Sequence, residues 1–188
     1  MNFLVEYLKH PFKVGAVAPN SKYLTRKMTA SISFSKAECI IEYGSGTGVF
    51  TEEIIRQKQE NTIFLIIEQN ETFYLNLYKK YHNLKNVYVC HGDARQVSGF
   101  MKQYQISQAD YIISGLPFTS LPNETSRQIL KETNHVLKKT GKFITFQYTL
   151  WEKRIFLKFF DIKSISFEAR NLPPAFVLTM KKKGGKKS

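Results

Sequence analysis

The sequence predicts a doubly wound α/β domain: a mostly parallel sheet with helices on both faces and an antiparallel hairpin at one edge. Two observations carry this. Short apolar, β-branched runs alternate with segments whose apolar residues recur at helical spacing. The last two strand-like runs, 162–169 and 175–180, have no helix between them, and strands joined that directly pair antiparallel.

Taken in order, the chain opens with Phe3, Leu4, Tyr7 and Leu8 at i, i+1, i+4 and i+5, one apolar stripe of a short helix. Lys9, His10 and Lys13 follow, and Pro11 ends the helix. Such a helix either docks on the core or lies in a membrane interface. Residues 14–21 are a loop of small side chains in which Asn20 or Ser21 can cap the next helix. That helix carries Tyr23, Leu24, Met28 and Ile32 on its apolar face. Gly15 and Ala16 let the loop backbone approach a bound ligand closely, although a plain connection serves equally well. Residues 1–33 are therefore read as a helical extension over the site.

The first strand is centred on Ile40-Ile41 and runs into Gly44-Ser45-Gly46-Thr47-Gly48. A helix follows with Val49, Phe50, Ile54 and Ile55 at helical spacing and Glu52 and Glu53 near its start, where acids suit the macrodipole. Further strands are expected at 62–68, 87–90, 111–113 and 143–146, which with the first strand and the hairpin makes seven. Helices are expected at 71–82, up to about 104, at 123–138 with Gly141 as its stop, and at 151–160 with Trp151, Ile155, Phe156 and Phe159 on one face. Residues 1–180 make one domain, and 181–188 a basic, disordered tail.

The 188 residues suffice for one α/β core. No run of about 18 apolar residues occurs, so nothing is expected to span a bilayer. The N-terminus does not read as a signal peptide, its apolar segment being short and interrupted by Glu6. Cys39 and Cys90 flank strand-like runs and are read as buried thiols of a reducing cytoplasm. His10, His82, His91 and His135 show no metal or triad spacing, so no metal is expected. The net charge is +13, of which five charges are lysines at 181–187. That excess fits an anionic partner, a membrane surface or RNA, or serves solubility alone. Each lysine adsorbed on an anionic bilayer is worth about 1 kcal/mol.

The glycine turn is neither a dinucleotide fingerprint, since Val49 stands where a small residue belongs, nor a phosphate loop. With Glu42 two residues ahead, Glu42-Tyr43-Gly44-Ser45-Gly46-Thr47-Gly48 resembles motif I of the class I S-adenosylmethionine (SAM) methyltransferases. Glu68, twenty residues past Gly48 at the end of the next apolar run, stands where an acid takes both ribose hydroxyls. The resemblance implies a Rossmann-like methyltransferase fold with SAM as cofactor. The residues holding it would be Glu42, Gly44, Ser45, Gly46, Thr47 and Gly48, then Glu68 with Gln69, Asp93 with Ala94, and Ser114, with Gly15 and Ala16 from the small-residue loop. Asp93 would accept from the adenine amino group, although alone it reads equally as a helix N-cap.

Ser114-Gly115-Leu116-Pro117-Phe118 resembles the N-x-P-[YF] motif of amino methyltransferases acting on adenine, with Gly115 in place of the polar first residue. These five residues are the catalytic candidates; Ser114 offers a hydroxyl one position early and Phe118 a ring. The elements Lys9-His10-Pro11, residues 14–21, His91-Gly92-Asp93-Ala94 and Asn171-Leu172-Pro173-Pro174-Ala175 complete a likeness running nearly end to end. It is similar to the bacterial phospholipid N-methyltransferases, and related to the rRNA adenine dimethyltransferases, which carry a further helical domain. The implied reaction is in-line attack of a neutral amine on the sulfonium methyl, the protein supplying proximity and orientation. Phe12, Tyr23, Phe118 and Tyr148 can hold a methylated ammonium, at about 0.5–2 kcal/mol each. The resemblance thus implies a phosphatidylethanolamine-like acceptor and a cytoplasmic enzyme, peripheral on the inner membrane face. An RNA adenine methyltransferase and a non-catalytic SAM-binding or membrane-binding module stay open as alternatives.

Overall fold

The computed structural model describes residues 22–151 and 153–184. The opening helix, the loop with Gly15 and Ala16, the caps Asn20 and Ser21, and Phe12 lie outside the described residues. Within them, α1 (Lys22–Thr29) buries Leu24 and Met28, with Ile32 buried just beyond. β1 (Cys39–Tyr43) is buried along its whole length, as its β-branched centre demands. It leads through the glycine turn into α2 (Val49–Gln57). β2 (Ile63–Glu68), α3 (Glu71–Tyr81) and β3 (Val87–His91) follow, with Asn70 capping α3 through a bond from the Phe73 amide. A short 3₁₀ turn, Ala94–Gln96, enters α4 (Val97–Gln103). β4 (Ala109–Ser114), α5 (Asn123–Val136), β5 (Leu137–Gln147), α6 (Lys153–Phe156), β6 (Phe160–Glu168) and β7 (Ala175–Lys182) complete the order.

The strands form one sheet ordered β3-β2-β1-β4-β5-β7-β6. β1 to β5 are parallel, and β7 pairs antiparallel with both β5 and β6. This is the Rossmann-like seven-stranded arrangement expected from the sequence. Side chains from α1, α2 and α3 pack on one face, with Ile40, Phe64 and Ile66. Those from α4, α5 and α6 pack on the other, with Ile41, Tyr43 and Phe143. The winding direction changes between β1 and β4, and a crevice opens beyond the carboxyl ends of these two strands.

Two expected elements differ. The helix read as 123–138 ends at Val136, and Gly141 lies inside β5 instead of stopping a helix. A Cβ on Gly141 would fall 2.9 Å from the Asp110 carbonyl oxygen, next to the bulge where β4 and β5 change register. The glycine therefore serves close strand approach. The helix read as 151–160 is the single turn α6, because Phe160 already pairs with Lys182 in the hairpin. Trp151 is consequently exposed, not on a buried face. β7 continues to Lys182, two residues into the stretch read as tail.

Candidate functional site

Three backbone bonds past the strand ends tie the site together. The Gly44 amide donates to Ile67 O at 2.9 Å, Gly92 to Glu68 O at 3.0 Å and Gly115 to Tyr43 O at 2.9 Å. Gly44, Gly46 and Gly48 have φ of 63°, 54° and 85°, left-handed values that only glycine adopts freely. A Cβ on Gly44 would meet Leu116 at 2.7 Å, whereas one on Gly46 would meet nothing within 4 Å. The turn is packed against the β4 loop on one side and open to the crevice on the other.

That crevice holds a cavity of about 510 Å³, within the range of small-molecule sites. Gly44, Ser45, Gly46 and Thr47 line it, as do Glu68, Gln69, Asp93 and Ala94 from the next two strand ends. Gly115, Leu116 and Pro117 supply the β4 side, and Phe146, Tyr148, Leu172 and Pro173 wall it from β5 and the hairpin loop. Most residues expected around a cofactor thus meet in one cavity.

Glu68 is clamped there. One carboxylate oxygen accepts from the Gly46 amide and the other from the Asn70 amide, both at 2.8 Å. Each oxygen keeps a lone pair for a further donor. The Ser45 hydroxyl is buried without a partner in the described structure. An acid with spare acceptors, an unpartnered hydroxyl and an open glycine fit the hydroxyl-rich adenosyl part of SAM. Asp93 does cap the 3₁₀ turn: its carboxylate accepts from the Arg95 amide and guanidinium, both at 2.8 Å. Burial raises its pKa, but the Arg95 bonds outweigh that and hold the carboxyl below its usual value. It nevertheless faces the cavity with Ala94.

Glu42 does not line the cavity. It is fully buried beneath the turn, where Thr51 Oγ1 donates to one of its oxygens at 2.7 Å and the other has no partner. Burial pushes its pKa up to about 8, with the Glu68 charge adding to the effect and Thr51 opposing it. Glu42 is thus a neutral strut between β1 and α2. Gly48 also stays off the wall: its amide bonds Ser45 O at 2.9 Å and its carbonyl accepts from the Glu52 amide at 2.9 Å, starting α2.

The structure corrects two catalytic candidates. Phe118 is 3% exposed, its ring edge-on to Phe143 and Phe156 at 6.3 and 5.1 Å. The turn after Pro117 directs it into the core and away from the cavity. Ser114 is fully buried in β4, its hydroxyl accepting from the Leu116 amide at 3.2 Å, so it shapes the loop and does not line the cavity. The glycine at 115 also has a reason: a Cβ there would sit 2.7 Å from the Gly44 carbonyl oxygen. Among the ammonium-binding candidates, Tyr148 reaches the cavity, and Tyr23 lies under the Arg170 guanidinium at 3.8 Å.

Leu172 and Pro173 were absent from the expected site residues, although the 171–175 signature marked their loop. Glu168 accepts from the Arg170 amide and guanidinium at 2.9 to 3.1 Å, and Lys27 approaches it at 3.7 Å. These cations hold its carboxyl down to about 2. Asn171 Nδ2 then donates to Pro173 O at 2.7 Å, so the loop is held as a wall. Cys39 and Cys90 are buried free thiols, as expected. Among the described residues no helix is long and apolar enough to cross a membrane, and no metal-ligating cluster occurs.

No protein-family model matches the chain. The ornithine lipid N-methyltransferase of Singulisphaera acidiphila is 33% identical over 174 residues, covering 92% of this chain and 91% of that protein. Among solved structures, the N-methyltransferase NodS of Bradyrhizobium japonicum, in complex with S-adenosyl-L-homocysteine, aligns with a TM-score of 0.67 at 10% identity. The alignment covers 85% of this chain and 83% of that one. The PH0226 protein of Pyrococcus horikoshii aligns with a TM-score of 0.65 at 15% identity, covering 86% and 88%. At these identities the two solved structures share the fold.

Proposed function

The chain belongs to the family of the ornithine lipid N-methyltransferase, and from that membership we propose that it methylates the amine of a lipid head group, phosphatidylethanolamine-like in character. It is a class I SAM-dependent methyltransferase, and SAM supplies an electrophilic methyl on a sulfonium when bound. The observation that supports a lipid acceptor is the match to a lipid N-methyltransferase across 92% of the chain. Phosphatidylethanolamine and ornithine lipid both present an amine on a head group, and that amine is the chemistry proposed here.

In this reading the turn from Gly44 to Thr47 backs the cofactor, Glu68 accepts from its ribose hydroxyls, and Asp93 with Ala94 borders its base. Gly115, Leu116 and Pro117 border the acceptor side. Among the described residues, the side chains lining the cavity include no histidine, lysine or arginine, and its acids Glu68 and Asp93 already hold donors. The amine attacks in its neutral form, and the chain contributes placement in line with the methyl. Tyr148 is positioned to meet the cationic product, worth about 0.5–2 kcal/mol. Phe118, packed in the core, offers no face for stacking a flipped base, which weighs against an RNA adenine acceptor. Residues 1–180 would form the single catalytic domain. The basic excess suits a peripheral position on the cytoplasmic face of an anionic membrane.

The test offers purified protein and SAM to detergent micelles containing phosphatidylethanolamine, ornithine lipid or phosphatidylcholine, with products read by mass spectrometry. Methylated phosphatidylethanolamine is expected. Methylation of ornithine lipid alone would move the acceptor to that head group. No methylated lipid, from protein shown to bind SAM, would refute the proposal.

A further inference from the structure

Trp151 is the chain's one tryptophan, and it is 88% exposed. A tryptophan so placed suits a membrane–water interface, where an apolar body and a polar N–H are both served. Its surroundings extend the pattern. β5 ends at Gln147, whose register partner on β7 is Phe176, and Phe176 in turn pairs with Phe167 on β6. Residues 148–151 and the loop 169–174 therefore leave the same edge of the sheet. Tyr148, Leu172 and Pro173 from these two segments line the cavity, so together the segments form its rim. On that rim Leu172 is 74% exposed, and beside it, near the end of β6, Phe167 is 50% exposed. Phe167 packs on Phe176 at 4.9 Å, and Phe176, Leu150 and Ile155 pack on the same sheet face. Lys153, Arg154 and Lys158 are exposed immediately beyond Trp151, against a single acid, Glu152, in that stretch of sequence.

We propose that this rim, with the adjoining end of β6, is a bilayer-docking surface: Trp151, Leu172 and Phe167 enter the interface of an anionic membrane while Lys153, Arg154 and Lys158 meet its phosphates. The cavity mouth then lies at head-group level, and a lipid amine reaches it without leaving the bilayer. This rests on the lipid-amine reading for its purpose but not for its test. The charge sign and the continuity with the cavity choose the membrane over other occupants.

The single tryptophan makes docking directly readable. With full-length protein and vesicles of phosphatidylcholine containing phosphatidylglycerol, Trp151 emission should shift to the blue and be quenched by brominated lipid. Trp151→Ala should weaken vesicle co-sedimentation about tenfold. Lys153→Ala with Arg154→Ala should weaken it several-fold at low salt and little at high salt. Trp151→Ala should lower methyl transfer to vesicle lipid while sparing transfer to the same lipid in micelles. Vesicle binding with unmoved emission would overturn the proposal, because another surface would then dock. Emission already blue in buffer and insensitive to vesicles would overturn it too, showing the rim covered by residues 1–21 or a second copy. So would a shift produced by rRNA and not by vesicles. Absence of methyl transfer in micelles as well would sink the lipid-amine reading, while the emission shift still decides docking.

Discussion

Replacing Glu42 by Gln should make the protein more stable at alkaline pH and leave it nearly unchanged in acid. Glu42 is fully buried and its pKa rises from 4.5 to about 8, so the folded state keeps a proton that the unfolded chain releases. Between those two values the native state binds more protons than the unfolded state, and stability falls as pH rises. At about 1.4 kcal/mol per pKa unit, wild-type protein should lose about 3 kcal/mol through this group between pH 5 and pH 8. Gln mimics the neutral carboxyl: its carbonyl can accept from Thr51 and its amide fills the space of the unpartnered oxygen. Urea unfolding of ligand-free protein across that pH range measures the gap between variant and wild type. The gap should open with pH and level off above pH 8. A gap that stays constant from pH 5 to pH 8 would refute the neutral buried strut.

Gly46→Val should abolish SAM binding measured by calorimetry, since its side chain enters the open crevice, while its left-handed φ of 54° costs about 1–2 kcal/mol of stability. Gly115→Ala should lower stability by about 1–3 kcal/mol, because the new Cβ meets the Gly44 carbonyl at 2.7 Å; an unchanged melting temperature would contradict the close approach. Phe118→Leu should destabilise the fold by about 1–2 kcal/mol with little change in KM for the acceptor, whereas a direct substrate contact would raise KM first. Glu68→Gln should weaken SAM affinity about tenfold or more, by loss of charge-assisted acceptors.

The strand-turn-helix around Gly44 to Gly48 was legible because three constraints coincide there: β-branched burial, left-handed glycines and a helical apolar stripe. Glu68 was legible from its place at the end of an apolar run, and the hairpin from the missing crossover helix. Side-chain direction inside a turn was not. The motif placed Phe118 at the site, but the backbone after Pro117 decides whether a ring enters the cavity or the core. Glu42 likewise carries the motif yet faces Thr51, because alternation along β1 sends its side chain under the turn. Polar residues at the start of β5 masked a strand: Lys138 read as the end of a helix and Gly141 as its stop, because only partner strands reveal their pairing. The α6 turn was overread because the Trp151, Ile155, Phe156 and Phe159 spacing continues past the point where the hairpin claims Phe160.

The most direct measurement of the central claim follows the methyl group itself. Purified protein is incubated with methyl-labelled SAM and vesicles containing phosphatidylethanolamine and ornithine lipid, with rRNA offered in parallel, and label is counted in the organic and aqueous phases. Label is expected in the lipid phase with wild type, and none with Gly46→Val. Label confined to RNA, or no transfer from protein that binds SAM, would contradict the claim.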